Sequence, residues 1–174
     1  MHQKLPREID PYRLAKSGLL LEGELKVSDM KRLSKSLYDD QGLINVKMQF
    51  DIDESSNTYT MHGAFVTSLP LICERCMKPM HYDVNVNCAL ALVNSEKKVE
   101  GLAEQYDPWV IDNDEPILLN AVVEDELILA LPLVPRHEND CLPADAWCSG
   151  EDIHEEVEKP ASPFAVLESL KSKN

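Results

Sequence analysis

The first hundred residues contain several runs in which apolar and polar positions alternate, the pattern of half-buried antiparallel strands. Residues 19–27 alternate loosely, residues 43–53 and 57–69 alternate on either side of the turn-forming segment DESSN, and residues 80–93 alternate again. Two alternating segments joined by such a turn predict a β-hairpin. The first half of the chain is therefore expected to form an antiparallel sheet with one or two helices.

Two short helices are predicted to accompany these strands. Asp10 suits the N-cap of a helical turn that has Pro11 at its first position. Residues 29–40 predict a second helix, because three apolar side chains recur there at helical spacing: Met30, Leu33 and Leu37.

Residues 117–131 predict a longer helix of about four turns that ends at Pro132. Its predicted apolar face comprises Ile117, Leu118, Ala121, Val122, Ile128 and Leu129. Asp125 falls in the middle of this face, where a carboxylate needs a hydrogen-bond partner, a cation or a raised pKa. Two interpretations remain open: Asp125 reaches solvent at the rim of a shallow face, or it is a paired acid. Asp125 is also a candidate partner-binding residue.

The last part of the chain differs in composition. The acidic stretch EDIHEEVEK predicts a solvated linker, and the following SPFAVLESLK predicts a short terminal helix with an apolar stripe of Phe164, Leu167 and Leu170. So short a helix is marginal alone and must dock, on its own body or on another molecule, which makes this stripe a candidate partner-binding surface. We therefore predict a single α+β domain over residues 1–148, mainly an antiparallel β-sheet packed by a few helices, and an acidic linker with a short C-terminal helix over residues 149–174.

Composition narrows the cellular setting. The chain has 174 residues, of which 44% are hydrophobic, enough for one good core. No apolar run is long enough to span a membrane, and the charged start MHQKLPREIDPYR does not resemble a signal peptide. A cytoplasmic location is therefore expected, where disulfides are rare, and an odd number of cysteines, 5, also argues against a disulfide framework.

The net charge of −14 is unevenly distributed. Residues 1–98 carry 13 acidic and 13 basic side chains, whereas residues 99–174 carry 18 acidic and 4 basic ones. Because RNA binding depends on cations that displace phosphate counterions, direct RNA contact would require the first half, through Lys31, Arg32, Lys35, Arg75 and Lys78. The acidic half is either a solvated surface or a surface for a basic protein.

The segment CERC raises the main chemical question. Cys73 and Cys76 can supply one pair of ligands to a structural zinc ion, and the loop RHENDC can supply a second pair, His137 and Cys141. Such an ion would join the sheet half to the helical half. Cys148 is a possible substitute ligand, whereas Cys88 lies in a predicted strand and is expected to be buried.

Two other interpretations of CERC remain. Zinc knuckles commonly have glycine soon after the second cysteine, and Met77 stands there, so the two cysteines can instead be simple thiols. A redox pair usually begins a helix, which lowers a thiol pKa. The strand-like flanks and Pro79 disfavour this, although Arg75 and Lys78 could lower a pKa. The sequence contains no GxSxG, phosphate-binding loop or dinucleotide-binding glycine motif, so we expect neither an enzyme nor a small-molecule substrate.

Three motifs in order, CERCMKP, EDELILALPLVPRHENDC and SPFAVLESLK, resemble the bacterial YceD family of large ribosomal RNA subunit accumulation proteins. The resemblance covers essentially the whole chain. It implies a cytoplasmic ribosome-biogenesis factor that supports synthesis, processing or stability of 23S rRNA, with no known catalytic activity. Some members have cysteine at the position of His137 and further pairs downstream, of which this chain keeps only Cys148.

The resemblance and the charge distribution together favour a non-enzymatic adaptor. Its expected partner is a basic protein of the large-subunit assembly pathway or an rRNA-modifying enzyme, with indirect association with rRNA. The alternative is a module that binds pre-rRNA directly through the charge-balanced N-terminal half.

Overall fold

The computed structural model describes residues 4–111 and 117–142. The predicted acidic linker and the terminal helix with Phe164, Leu167 and Leu170 lie outside these residues, as does Cys148. The predicted domain boundary at residue 148 also falls outside them and stays a prediction.

Seven strands and two α-helices follow one another along the described chain. In order they are β1 (Glu8–Ile9), α1 (Pro11–Lys16), β2 (Leu20–Lys26), β3 (Leu43–Asp53), β4 (Thr58–Ile72), β5 (Pro79–Val93), β6 (Asp107–Val110), β7 (Ile117–Leu118) and α2 (Leu119–Ala130). Three short 3-10 helices lie between them, at Val27–Asp29, Leu33–Ser36 and Glu96–Gly101.

Five of the strands form one sheet in the order β2-β3-β4-β5-β6. Neighbours from β2 to β5 are antiparallel, whereas β6 runs parallel to β5, and β1 pairs with β7 in a separate two-stranded ribbon. The prediction of an α+β fold with a mainly antiparallel sheet is confirmed. The parallel edge strand β6 was not predicted, because it is short and its side chains show no clear alternation.

The β3–β4 hairpin is confirmed, and the DESSN segment explains its turn. The Asp53 carboxylate accepts hydrogen bonds from the Ser55 hydroxyl at 2.7 Å, the Ser55 N–H at 2.9 Å and the Ser56 hydroxyl at 3.1 Å. These bonds, led by the one from the Ser55 hydroxyl, lower the pKa of Asp53 to about 2. Asn57 has a φ of 51°, a left-handed conformation that asparagine tolerates better than most residues.

The core lies on one face of the sheet. Alternate side chains of β3 to β5 meet the two α-helices and the 3-10 segments there. The largest fully buried side chains of this core, from the strands and from the helical segments, include Phe50, Phe65, Met30, Leu33, Ile44, Met48, Met61, Leu69, Leu119 and Leu127. The opposite face carries polar and charged residues such as Asn45, Lys47 and Asp83. This is the two-sided pattern that the alternation in sequence predicts.

The predicted helix over residues 29–40 is wrong. The chain instead forms the 3-10 helices Val27–Asp29 and Leu33–Ser36. Met30 and Leu33 are fully buried, and a spacing of three residues suits a 3-10 helix as well as an α-helix. Leu37 is extended, and the Tyr38 N–H donates to the Pro70 carbonyl at 2.8 Å, so the chain leaves the helical path at that point.

The predicted helix over residues 117–131 begins two residues later and buries a different face. Ile117 and Leu118 form β7, where they pair with Ile9 and Glu8. The buried apolar residues of α2 are Leu119, Val122, Val123 and Leu127, whereas Leu129 is 80% exposed. The pairing with β1 fixes the start of the helix and thereby turns the predicted face partly towards solvent.

The buried acid of α2 is Glu124, not Asp125. The Oε1 atom of Glu124 accepts hydrogen bonds from the backbone N–H groups of Arg32 at 2.6 Å and Leu33 at 3.0 Å, and Oε2 accepts from Arg32 Nε at 3.1 Å. Glu124 therefore caps the start of the 3-10 helix Leu33–Ser36 from a distant part of the chain. Asp125 is exposed at the rim and also contacts Arg32, with 2.6 Å between Oδ1 and NH1.

We predict that Glu124→Ala lowers the free energy of unfolding by about 3 kcal/mol, because it leaves two backbone donors and the Arg32 guanidinium without their acceptor. Asp125→Ala removes an exposed ion pair from the same arginine and should cost less than about 1 kcal/mol. Urea unfolding of both variants measures the difference. Equal losses would contradict the assigned role of Glu124.

Candidate metal centre

The CERC segment forms the turn between β4 and β5. The Met77 N–H donates to the Cys73 carbonyl at 2.8 Å, and the Cys73 N–H donates to the Lys78 carbonyl at 3.0 Å. Cys73 is fully buried and Cys76 is half-buried. The turn therefore holds both thiols at one end of the sheet.

The loop after α2 brings the second pair of side chains to this turn. The Glu74 N–H donates to the Pro135 carbonyl at 2.8 Å, which joins the two segments just before His137 and Cys141. The ligand atoms of Cys73, Cys76, His137 and Cys141 all lie within 4.8 Å of one another. We call this group the Cys3His cluster. The four residues predicted from the sequence are thus brought together, and they could hold a metal ion.

The distances inside the Cys3His cluster fit tetrahedral zinc. With bonds of about 2.3 Å to sulfur and about 2.05 Å to nitrogen, a tetrahedral ion separates two sulfurs by about 3.8 Å and a sulfur from a nitrogen by about 3.5 Å. The Sγ atoms of Cys73 and Cys141 are 3.8 Å apart, and Cys76 Sγ is 3.5 Å from His137 Nδ1. Both the donor set and its spacing suit zinc.

The electrostatic environment differs between Cys73 and Cys76, two of the three cysteines of the cluster. Burial raises the pKa of Cys73, but hydrogen bonds from the backbone N–H groups of His137, Cys76 and Arg75 outweigh burial and lower the pKa to about 5. Burial raises the pKa of Cys76, and the neighbouring Cys141 and Cys73 sulfurs raise it further. The backbone therefore stabilises the Cys73 thiolate, the form that binds metal.

Arg75 ties the second loop to the turn. Its Nε donates to Cys141 Sγ at 3.1 Å, its NH2 group donates to the carbonyls of His137, at 3.3 Å, and Asn139, and its NH1 lies 3.5 Å from Asp140 Oδ1. The hydrogen bond to Cys141 is the largest cause of a raised Arg75 pKa. From the sequence, Arg75 was a candidate RNA contact or a residue that could lower a thiol pKa. Its contacts with the loop after α2 could not be predicted, because that loop lies more than sixty residues away in sequence.

The geometry around the cysteines differs from what a redox pair requires. CERC joins two strands and does not begin a helix, so it lacks the helix dipole on which the redox interpretation depended. Cys88 lies in β5 and outside the Cys3His cluster, and burial raises its pKa to about 12. Met77 stands where zinc knuckles commonly have glycine, and it adopts the left-handed conformation itself, with a φ of 57°.

The fold and the cluster define an α+β protein in which a potential metal site joins the turn of an antiparallel sheet to the loop after a helix. Among the described residues, no helix has the length and apolar character needed to cross a membrane. A sequence model of the family "Large ribosomal RNA subunit accumulation protein YceD" matches residues 61–171. The protein of that name from Haemophilus influenzae is 32% identical over an alignment 174 positions long, which covers 98% of each chain.

The chain therefore belongs to the YceD family, as the three sequence motifs indicated. The family name indicates a part in the accumulation of large-subunit ribosomal RNA, and it names no chemical reaction. No solved structure matches the chain.

We predict that Met77→Gly raises the free energy of unfolding by about 1 kcal/mol, because glycine adopts the left-handed conformation without the steric cost that methionine incurs. Met77→Ala is the matched control, since it keeps that cost and removes only a side chain that is 68% exposed. Its stability should change by less than about 0.5 kcal/mol. Thermal and urea unfolding compare the two, and a loss of stability in Met77→Gly would contradict the argument.

Proposed function

We propose that this protein supports the accumulation of large-subunit rRNA as a non-enzymatic, cytoplasmic ribosome-biogenesis factor that binds a basic protein partner. Family membership supports the rRNA role. The observation that supports the class of partner is a groove between β6 and α2, which we call the acidic groove. Its lining consists of Leu90, Asp107, Pro108, Trp109, Val122, Asp125, Glu126 and Leu129.

The acidic groove combines carboxylates with apolar side chains. Asp107 and Glu126 supply charge that pairs with no described cation, whereas Asp125 already pairs with Arg32. Burial, together with the charges of Asp107 and Asp125, raises the pKa of Glu126. No lysine or arginine is among its described lining residues. A cation from a partner would relieve the repulsion among these carboxylates. The half-exposed Trp109 and the largely exposed Leu129 can cover the alkyl stem of a lysine or arginine.

The size of the acidic groove suits a flexible basic segment. Its volume is about 380 Å³, enough for one or two long side chains and too small for a folded domain. Directly after α2, the apolar residues Leu133 and Val134 are also exposed. A segment rich in lysine and arginine, with apolar residues between them, would match both properties.

We also propose that the Cys3His cluster binds one structural zinc ion. Zinc would supply no catalysis here, since four protein ligands leave no open coordination position. Cys73 and Cys76 come from the β4–β5 turn, and His137 and Cys141 come from the loop after α2. The ligands would therefore fix the C-terminal end of α2, where the acidic groove has its apolar rim.

The alternative of direct pre-rRNA binding through Lys31, Arg32, Lys35, Arg75 and Lys78 has less support. Arg32 is held by Glu124 and Asp125, and Arg75 is held by Cys141 and Asp140. Cations in such pairs have fewer donors available for phosphate. Lys31, Lys35 and Lys78 form no ion pair with another described residue, so at most three of these five cations remain for phosphate.

We predict about one zinc ion per chain in protein purified without chelator or a metal-affinity step, measured by elemental analysis. Chelation should lower the melting temperature and expose Cys73, Cys76 and Cys141 to a thiol reagent. Cys73→Ser should lose the metal.

Cys88→Ser is the control and should keep the metal, because Cys88 lies outside the Cys3His cluster. Metal-free protein whose thiols react at once would overturn the zinc proposal. It would leave the partner proposal intact.

We predict that neutralising the acidic groove with Asp107→Asn, Asp125→Asn and Glu126→Gln together weakens binding of a lysine- and arginine-rich peptide by at least about tenfold, or roughly 1.4 kcal/mol. Calorimetry measures the peptide affinity. In a strain that lacks the gene, the same variant should fail to restore the ratio of large- to small-subunit rRNA.

The matched control carries Glu22→Gln, Glu24→Gln and Asp83→Asn, three exposed carboxylates outside the acidic groove. It removes the same net charge and should behave as the unmodified protein. Equal effects of the two triple variants would show a general charge effect and would exclude the acidic groove as the binding site.

A further inference from the structure

A second groove lies where α1 and the 3-10 helix Glu96–Gly101 meet the adjoining ends of β4 and β5. It has a volume of about 870 Å³. Three lysines and two tyrosines line it, Lys16, Lys97, Lys98, Tyr12 and Tyr59, and we call it the lysine groove. The lysines come from segments about eighty residues apart in sequence, so the charge pattern of the sequence did not reveal their meeting.

The lysine groove is locally basic in an acidic protein. Asp10 is the one acidic residue among its described lining residues, and its Oδ1 accepts a hydrogen bond from the Arg13 N–H at 3.0 Å as the cap of α1. Lys16, Lys97 and Lys98 are all exposed, and none of them forms an ion pair with another described residue. Three ammonium groups are thus available to an anionic ligand.

The two tyrosines give this groove a fixed aromatic wall. The ring centroids of Tyr12 and Tyr59 are 5.4 Å apart, and the rings meet edge to face at 88°. Both rings are half-buried against the core, which restricts their motion. Lys16 Nζ lies 6.0 Å from the centre of the Tyr59 ring, so positive charge and an aromatic surface stand side by side.

We propose that the lysine groove binds a single strand of RNA. Cations that follow a phosphate backbone, beside aromatic rings that contact bases, are the combination by which proteins hold single-stranded nucleic acid. The volume lies within the range of ordinary ligand sites, roughly 300–1,000 Å³, which suits one or two nucleotides of a longer strand. A duplex would offer the tyrosines no free base face.

The choice of RNA over DNA as the ligand rests on the proposed function. The assignment of the lysine groove as a site for single-stranded nucleic acid rests only on its lysines and tyrosines. The lysine groove and the acidic groove share no lining residue. A protein with both would hold an RNA strand and a basic protein segment on separate surfaces. Direct contact with RNA would then come from residues other than the five cations predicted from the sequence.

The test is fluorescence anisotropy of the full chain with a labelled single-stranded RNA of about 12 nucleotides. Lys16→Ala, Lys97→Ala and Lys98→Ala together should weaken binding at least tenfold. Three phosphate contacts predict a slope of about −2 for log affinity against log salt concentration, hence a loss of roughly 20-fold between about 50 and 200 mM salt. In the triple variant the slope should approach zero.

The control variant, Lys31→Ala, Lys35→Ala and Lys78→Ala, removes the same charge elsewhere and should bind within twofold of the unmodified protein. If the first triple variant does not fold, Lys97→Gln with Lys98→Gln replaces it, because both side chains are exposed. Equal losses in test and control variants, or no binding at low salt, would overturn the proposal.

Two further probes test the class of ligand. Equal binding of single-stranded DNA would overturn the assignment to RNA, and tighter binding of a glutamate-rich peptide would assign the lysine groove to an acidic protein. The neutralised acidic-groove variant should keep RNA binding, and the lysine variant should keep binding of the basic peptide. The two proposals can therefore fail separately.

Discussion

The contact between Glu124 and the backbone of Arg32 and Leu33 determines where helix α2 lies. A buried carboxylate is costly unless its hydrogen bonds are satisfied, and here two backbone donors and a guanidinium satisfy it. With Glu124 held inward, Val123 and Leu127 cover the sheet, while Asp125 and Leu129 face outward. The same orientation directs the following loop to the CERC turn. One side-chain carboxylate thus links the core, the outer charged surface and the candidate metal centre.

The two ligand-sized grooves suggest how a protein with so much negative charge could serve an RNA process. Carboxylates and exposed apolar groups gather beside α2, whereas lysines and tyrosines gather beside α1. Charges of opposite sign on separate surfaces favour different ligands and reduce competition between them. The Cys3His cluster belongs to neither groove, and its place at one end of the sheet fits a role in rigidity.

Local patterns predicted the strands and the ligands, and failed where distant residues decide the outcome. Alternation located β3, β4 and β5 because one face of an antiparallel sheet is buried. Cysteine and histidine spacing found the Cys3His cluster because metal ligands come in close pairs. The buried face of α2 could not be predicted, since it depends on β1 and Arg32, about ninety residues or more away. The partners of Arg75 and the proximity of Lys16 to Lys97 could not be predicted either, because these residues are also far apart in sequence.

The late position of α2 in the chain has a consequence for synthesis. The apolar face of β3 to β5 is complete once residue 93 has been made, but Leu119, Val123 and Leu127, which cover part of it, follow later. Chains grow at about 5–20 residues per second, so the part of this face that α2 covers stays exposed for roughly two to seven seconds. During that interval the nascent chain exposes a sheet surface prone to aggregation, and Cys73 and Cys76 have no second ligand pair. Completion of this core therefore depends on α2, which is made after the strands that it covers.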